Sequence, residues 1–317
     1  MTPAADVVNR GEGALFPQDE DEEIEAEGTM RRATGCPHSL SGVAPMHIET
    51  REGHVIHVKD MGSGHPVILI HGWPLTGDMW EYQTLALLES GYRVITYDRR
   101  GFGQSGHPAD GYNYDVFADD LAAVIDRVGA AKVSLVGFSM GGGEIARYLS
   151  RYGSAKVDRV ALISSVVPYL LKDDSNPDGV DESALDQMQA QVREDRFAFL
   201  QSFAKTFYGI GLVSKPVSSA LLDWTFMLAI MASPKATIDC IHAFGRTDFR
   251  PDLGAFTIPT LIIHGTSDKT VPIDPTGRAA AAAIPGAQLI EYDGEPHGLF
   301  ATAPDRLNAD LLSFLAQ

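Results

Sequence analysis

"KVSLVGFSMGGGEIARYLSRYG" (residues 132–153) decides the fold. An apolar run, Val133–Phe138, stops at Ser139, and a helix-forming stretch with a Gly-rich start follows. Strand, Gly137-Phe138-Ser139-Met140-Gly141, then helix is the context of a nucleophile elbow. A turn this sharp forces its central residue into a strained backbone conformation and points the hydroxyl away from the sheet. The residues two places to either side come close to that turn and must be small; both are glycine. The helix that follows presents its N-terminal N–H groups and the positive end of its dipole to a developing oxyanion. The G-x-S-x-G pattern alone is weak and also describes a loop serine; its flanks give it meaning.

Outward from the elbow the chain alternates. "PVILIHG" (66–72), "YRVITYD" (92–98), "VDRVALISS" (157–165), "PTLIIHG" (259–265) and "AQLIEYDG" (287–294) read as strands. "DMWEYQTLALLESGY" (78–92), closed by Gly91, and "DVFADDLAAVIDRVGA" (115–130) read as helices, and "RLNADLLSFLAQ" (306–317) as an amphipathic terminal helix. Continuous apolar strands interleaved with helices predict an α/β fold whose mostly parallel sheet is covered on both faces. "HVIHVKDMG" (54–62) alternates like one strand of an antiparallel hairpin. The alternation lapses between Val166 and Asp248, where the pattern is helical and aromatic. The expected organisation is a core of residues 46–165 and 248–317 with a helical cap at 166–247, over the carboxyl ends of the strands where ligands bind in such sheets.

Residues 1–45 carry nine acidic and three basic side chains and few large apolar ones. Such a segment cannot bury enough surface to offset its ordering entropy and is read as a disordered acidic arm. Two readings stay open: a genuine tail, or translation starting at Met30 or Met46. The chain of 317 residues has a net charge of −17, which argues against nucleic acid or an anionic membrane as partner. Its two cysteines, Cys36 in the arm and Cys240 in the expected core, do not suggest a disulfide. No apolar h-region follows the first charges, and no apolar run reaches spanning length. A soluble, cytoplasmic protein is the expectation.

A serine is inert at neutral pH without a base. In this fold the partners follow in the order serine, acid, histidine. "LIIHGTSDKTVP" (261–272) puts Asp268 just past a strand end, and "EYDGEPHGLF" (291–300) puts His297 in the turn after the next strand. Each alone is ordinary, a turn-forming Asp and a structural His. Together they stand on the same sheet edge as Ser139. The expected roles are Ser139 as nucleophile, His297 as general base and then acid, and Asp268 as orienter of the imidazole. The oxyanion donors are expected to be the Met140 and Trp73 N–H groups, the latter from "ILIHGWP" (68–74), with His71 packed behind the site. Phe138, Thr270, Ile273, Phe207 and Phe226 are candidate pocket residues, although ordinary core packing explains the cap aromatics equally well. An apolar pocket favours small uncharged acyl groups with aryl or alkyl leaving groups. "GFGQSG" (101–106) matches a dinucleotide fingerprint by spacing, but Pro108 follows and no helix opens there, so a turn with positive φ is the reading. The ten histidines form no metal-binding motif, and no metal or other cofactor is expected.

"HGWPLTGDMWEYQ" (71–83), "YDRRGFGQSGHP" (97–108), "VGFSMGGGEIARY" (136–148), "TFYGI" (206–210), "ASPKATIDCIHAF" (232–244), "TDFRPDL" (247–253), "HGTSDKTVP" (264–272) and the later "PHG" together resemble the α/β-hydrolase superfamily. More closely, they resemble its cofactor-free haloperoxidase branch, the bacterial arylesterases and perhydrolases. The resemblance covers most of residues 46–317. It implies the same triad and oxyanion donors, hydrolysis of small carboxylic esters, and hydrogen peroxide accepted in place of water as a side reaction. Pro74 is the residue that perhydrolase-leaning members tend to carry. The resemblance also allows a homo-oligomer. Two departures concern Thr270 and Ile273, which stand where relatives often have larger apolar residues. Lactone or amide hydrolysis by the same triad, or a ligand receptor on this scaffold, remain alternatives.

Overall fold

The computed structural model describes residues 46–211 and 213–317. The expected arm at 1–45, with Cys36, lies outside them. The described residues build an eight-stranded sheet in the order β1-β2-β4-β3-β5-β6-β7-β8. The antiparallel edge is β1 (Met46–Glu49) and β2 (Val55–Met61), and β2 pairs antiparallel with β4 (Arg93–Tyr97). From β4 onward neighbours are parallel: β3 (Pro66–Ile70), β5 (Val133–Phe138), β6 (Val157–Ile163), β7 (Thr260–Gly265) and β8 (Gln288–Tyr292). The central strands β3, β5 and β7 are buried along their whole length, as apolar runs covered on both faces must be.

The helices follow from local signals. Asn113 caps α2 (Tyr114–Val128) by accepting from the Val116 N–H, and Gly129 ends it at φ +69°. Serine caps α5 (Ser219–Ile230) and α6 (Pro234–Arg246), where Ser218 accepts from Leu221 N–H and Ser233 from Ala236 N–H. A short 3₁₀ turn at Gly77–Trp80 leads into α1 (Glu81–Glu89). The remaining helices include α3 (Met140–Tyr152), α4 (Glu182–Phe207), and, towards the end of the chain, α7 (Ala279–Ala283), α8 (Leu299–Thr302) and α9 (Pro304–Leu315). The stretch expected to be a helical cap holds α4 to α6, all between β6 and β7, but it is not helical throughout. Residues 166–181 form an irregular segment with two isolated bridges, and α4 is interrupted at Asp195 (φ −150°, ψ 92°).

The "GFGQSG" stretch is a turn. Gly101 and Gly103 have φ of +82° and +53°. A side chain at Gly103 would collide with the Asp98 carboxylate, which accepts from the Gly77 N–H at 2.9 Å and the Gln104 N–H at 2.8 Å. These glycines close the chain around a buried carboxylate.

A second buried charge sits beneath the expected oxyanion loop. Arg99 and Glu144 are fully buried and joined by a hydrogen bond of 2.7 Å from Nε to Oε2. Arg99 Nη2 also donates to the His71 carbonyl at 2.8 Å, and the Tyr97 hydroxyl donates to Glu144. Burial pushes the Glu144 carboxyl up, with the Arg99 guanidinium opposing it. Removing one partner of such a pair strands the other charge in a low-dielectric interior. Glu144→Ala is therefore expected to lower stability by about 3–5 kcal/mol. The urea midpoint should fall with the slope unchanged. A double variant, Arg99→Met with Glu144→Leu, should recover part of that loss; equal midpoints for wild type and Glu144→Ala would refute the assignment.

Candidate active site

Ser139 stands between β5 and α3 with φ 53° and ψ −115°, one of two non-glycine residues with positive φ among the described residues. Such a conformation costs roughly 1–3 kcal/mol and persists only when its surroundings impose it. They do so here. The Ser139 N–H donates to the Ile163 carbonyl on β6 at 2.8 Å, extending the sheet by one residue. A Cβ on Gly137 would lie 2.7 Å from the Gly141 carbonyl oxygen, and one on Gly141 would lie 2.6 Å from that of Ile70. Both contacts are with backbone, so neither position has room for a side chain.

The partners arrive from two later strand ends. Asp268 follows β7 and His297 lies in the turn after β8. His297 Nε2 is 3.0 Å from Ser139 Oγ, and His297 Nδ1 is 2.6 Å from Asp268 Oδ2. A carboxylate only accepts, so Nδ1 carries the ring proton and Nε2 is left as acceptor for the serine hydroxyl. The other carboxylate oxygen accepts from the Thr270 and Val271 N–H groups at 2.9 and 2.8 Å. Burial pushes the Asp268 carboxyl up, but the His297 and His264 rings beside it outweigh that and hold it far below the ordinary carboxylate range.

His264 was not anticipated from the sequence. It lies at the end of β7, fully buried, with Nε2 donating to the Val271 carbonyl at 2.8 Å and 3.4 Å from Asp268 Oδ2. It steadies both the carboxylate and the loop that cradles it. The signal was present in "HGTSD", where His and Asp are four residues apart, but only the bend after β7 turns that spacing into contact.

Met140 is the first residue of α3, where backbone N–H groups have no acceptor within the helix. Trp73 follows β3 across the site and lines the same pocket as Ser139 and His297. Its indole donates to the Thr237 carbonyl at 3.0 Å, tying this loop to α6. His71 is packed behind the loop: Nδ1 donates to the Gly72 carbonyl at 3.0 Å and Nε2 accepts from the Arg99 N–H at 2.9 Å. Burial, reinforced by Arg99, lowers its pKa well below the ordinary histidine value, so the ring is neutral.

The pocket over Ser139 and His297 has a volume of about 180 Å³. For comparison, an apolar cavity of roughly 150 Å³ holds a benzene ring. Its walls are Trp73, Leu170, Val180, Ala184, Leu185, Met188, Phe203, Thr206, Phe244, Lys269, Thr270 and Val271. Of the five expected pocket residues, only Thr270 is among them. Phe138 and Phe207 instead pack against the His297 ring, with centroids at 4.8 and 5.0 Å. Phe138 is turned under the Gly72 backbone, where a Cβ on Gly72 would lie 2.6 Å from its ring. Ile273 is buried beyond the pocket, at the entry to the turn Asp274–Arg278. Phe226 faces a separate void of about 10 Å³ with Pro74, Leu75 and Phe207, because α5 lies outside α4 and α4 supplies the wall. A larger surface groove of about 610 Å³, beside Asp119, Asp126, Tyr148 and Lys156, holds no nucleophile next to a base. Among the described residues no three His, Cys, Asp or Glu side chains are grouped to hold a metal ion, and no helix is long and apolar enough to cross a membrane.

Fold and site together define a class: a mostly parallel α/β sheet that carries a serine on a strand-to-helix elbow, in contact with a histidine–aspartate pair. The family profile described as alpha/beta hydrolase fold matches residues 65–304, and the chain belongs to that family. The crystal structure of a bromoperoxidase from Bacillus anthracis is similar at a TM-score of 0.84, with 46% identity over 86% of this chain and 100% of that one. A non-heme chloroperoxidase of Kitasatospora aureofaciens is 42% identical, covering 84% of this chain and 98% of that protein. A bifunctional esterase/perhydrolase of Acinetobacter calcoaceticus is 40% identical, covering 85% and 99%.

A carboxylate whose pKa is depressed on folding adds stability that is complete above its unfolded pKa, about 4, and is lost as pH falls through the folded value. The stability advantage of wild type over Asp268→Asn is therefore expected to shrink by about 1 kcal/mol between pH 5 and pH 3. Urea unfolding at the two pH values measures it. An advantage that is constant or grows towards acid would contradict the depressed carboxyl.

Proposed function

We propose that the protein is a serine hydrolase of small carboxylic esters that acts through an acyl-enzyme. The observation that carries this is the unbroken chain Ser139 Oγ–His297 Nε2 at 3.0 Å and His297 Nδ1–Asp268 Oδ2 at 2.6 Å, opening on a pocket of about 180 Å³. Ser139 attacks the ester carbonyl as His297 takes its proton. The tetrahedral oxyanion is held by the Met140 and Trp73 N–H groups, fixed in place before the charge develops. The imidazolium, stabilised by Asp268, then protonates the departing alcohol. In the second half His297 draws a proton from water, which attacks the acyl-enzyme and releases the acid. Hydrogen peroxide in place of water releases a peracid by the same steps. The relatives named for chloroperoxidase and for esterase/perhydrolase activity support this second outcome. Phe138 and Phe207 keep the imidazole in one orientation and exclude water from its faces.

Steady-state hydrolysis of p-nitrophenyl acetate and butyrate, with and without added peroxide, tests this. Wild type should turn over many times. Ser139→Ala should lose on the order of 10⁶ in kcat, leaving only what binding and the oxyanion donors supply. Asp268→Asn should lose roughly 10⁴, because the imidazole then rests in the wrong tautomer. Peracid should form when peroxide is present. A wild type as silent as Ser139→Ala on both esters would move a receptor on this scaffold ahead.

A further inference from the structure

The pocket is not uniformly apolar. Lys269, next to Asp268 in the chain, is an exposed residue that contributes to the lining and makes no hydrogen bond or ion pair with any described residue. Beside it, the Thr270 hydroxyl is buried in the same wall with no hydrogen-bond partner among the described residues. A buried hydroxyl left unpaired is costly, so a polar ligand atom brought within its reach is favoured. Apart from His297, Lys269 is the one ionisable group in the lining. It stands out in a chain whose net charge is −17.

We infer that this pair forms a carboxylate-recognising subsite, and that the preferred substrates are esters bearing a carboxylate a few bonds from the scissile carbonyl. This rests on the ester-hydrolase reading above and narrows it. The Lys269 ammonium supplies the charge and the Thr270 hydroxyl a hydrogen-bond donor. Leu170, Leu185, Met188 and Phe244 line the same pocket and receive the methylenes between carboxylate and ester. A pocket of about 180 Å³ limits that spacer to a few carbons. The acidic surface does not prevent this. At physiological salt, charges beyond roughly 8 Å are screened, so the local cation decides which ester is held.

The test compares matched esters, monoethyl adipate with ethyl hexanoate and 4-acetoxybutanoate with butyl acetate, on wild type, Lys269→Met and Lys269→Glu, with Ser139→Ala as blank. The readout is kcat/KM for the anionic ester over its neutral partner. Dividing the wild-type ratio by the variant ratio cancels each ester's intrinsic reactivity and any general damage beside Asp268. In at least one pair that quotient should be about 5 or more for Lys269→Met, the size of a partly exposed charge pair. It should be larger for Lys269→Glu, and should shrink as ionic strength rises from about 20 to 300 mM. Turnover of neutral esters with quotients near 1 in both pairs overturns the subsite and leaves the esterase reading standing. Failure of wild type on all four esters overturns both.

Discussion

The site depends on the close approach of the β5–α3 turn to β3. Gly141 lies so near the Ile70 carbonyl, and Gly137 so near Gly141, that any side chain at either position would meet backbone. That approach holds Ser139 at a positive φ with its hydroxyl above the sheet edge. It also sets the Met140 N–H at the start of α3 opposite the loop that follows β3. The proposed nucleophile and oxyanion donors thus depend on one packing contact. The strain it stores is met by the flanking parallel strands, of which β3 is buried along its whole length.

The loop after β3 needs its own support, since a backbone donor is useful only where it stays put. Its support is polar. Arg99 reaches the His71 carbonyl, the His71 ring receives the Arg99 N–H, and Glu144 on α3 holds the guanidinium. The loop after β3 and the start of α3 are therefore joined through a buried ion pair as well as through the sheet. On the opposite side, His264 and the Thr270 and Val271 N–H groups surround Asp268. Ser139, His297 and Asp268 sit on short chains of hydrogen bonds, while the pocket wall comes from α4, the irregular segment before it, Phe244 of α6 and the loop after β7. The loop after β7 belongs to both: its Thr270 and Val271 N–H groups hold Asp268, and the same residues line the pocket.

What the sequence alone determined was whatever depends on local order. The alternation of apolar strands with capped helices gave the α/β sheet, because each element's periodicity reports its own burial. The glycines flanking Ser139 marked the elbow, because the turn tolerates nothing larger. Asp268 and His297 were legible from their places just past strand ends, since parallel strands bring such ends to one edge. Only the tertiary structure decided which side chains face the cavity. Phe138, Phe207 and Phe226 are as apolar as any pocket residue, yet two pack on the imidazole and one behind α4. Ile273 is two residues past Val271, which lines the pocket, and is itself buried away from it. His264 and Lys269 became part of the site through the path of one loop. Composition and period report whether a side chain is buried; against what it is buried depends on how elements distant in sequence cross, which no local pattern encodes.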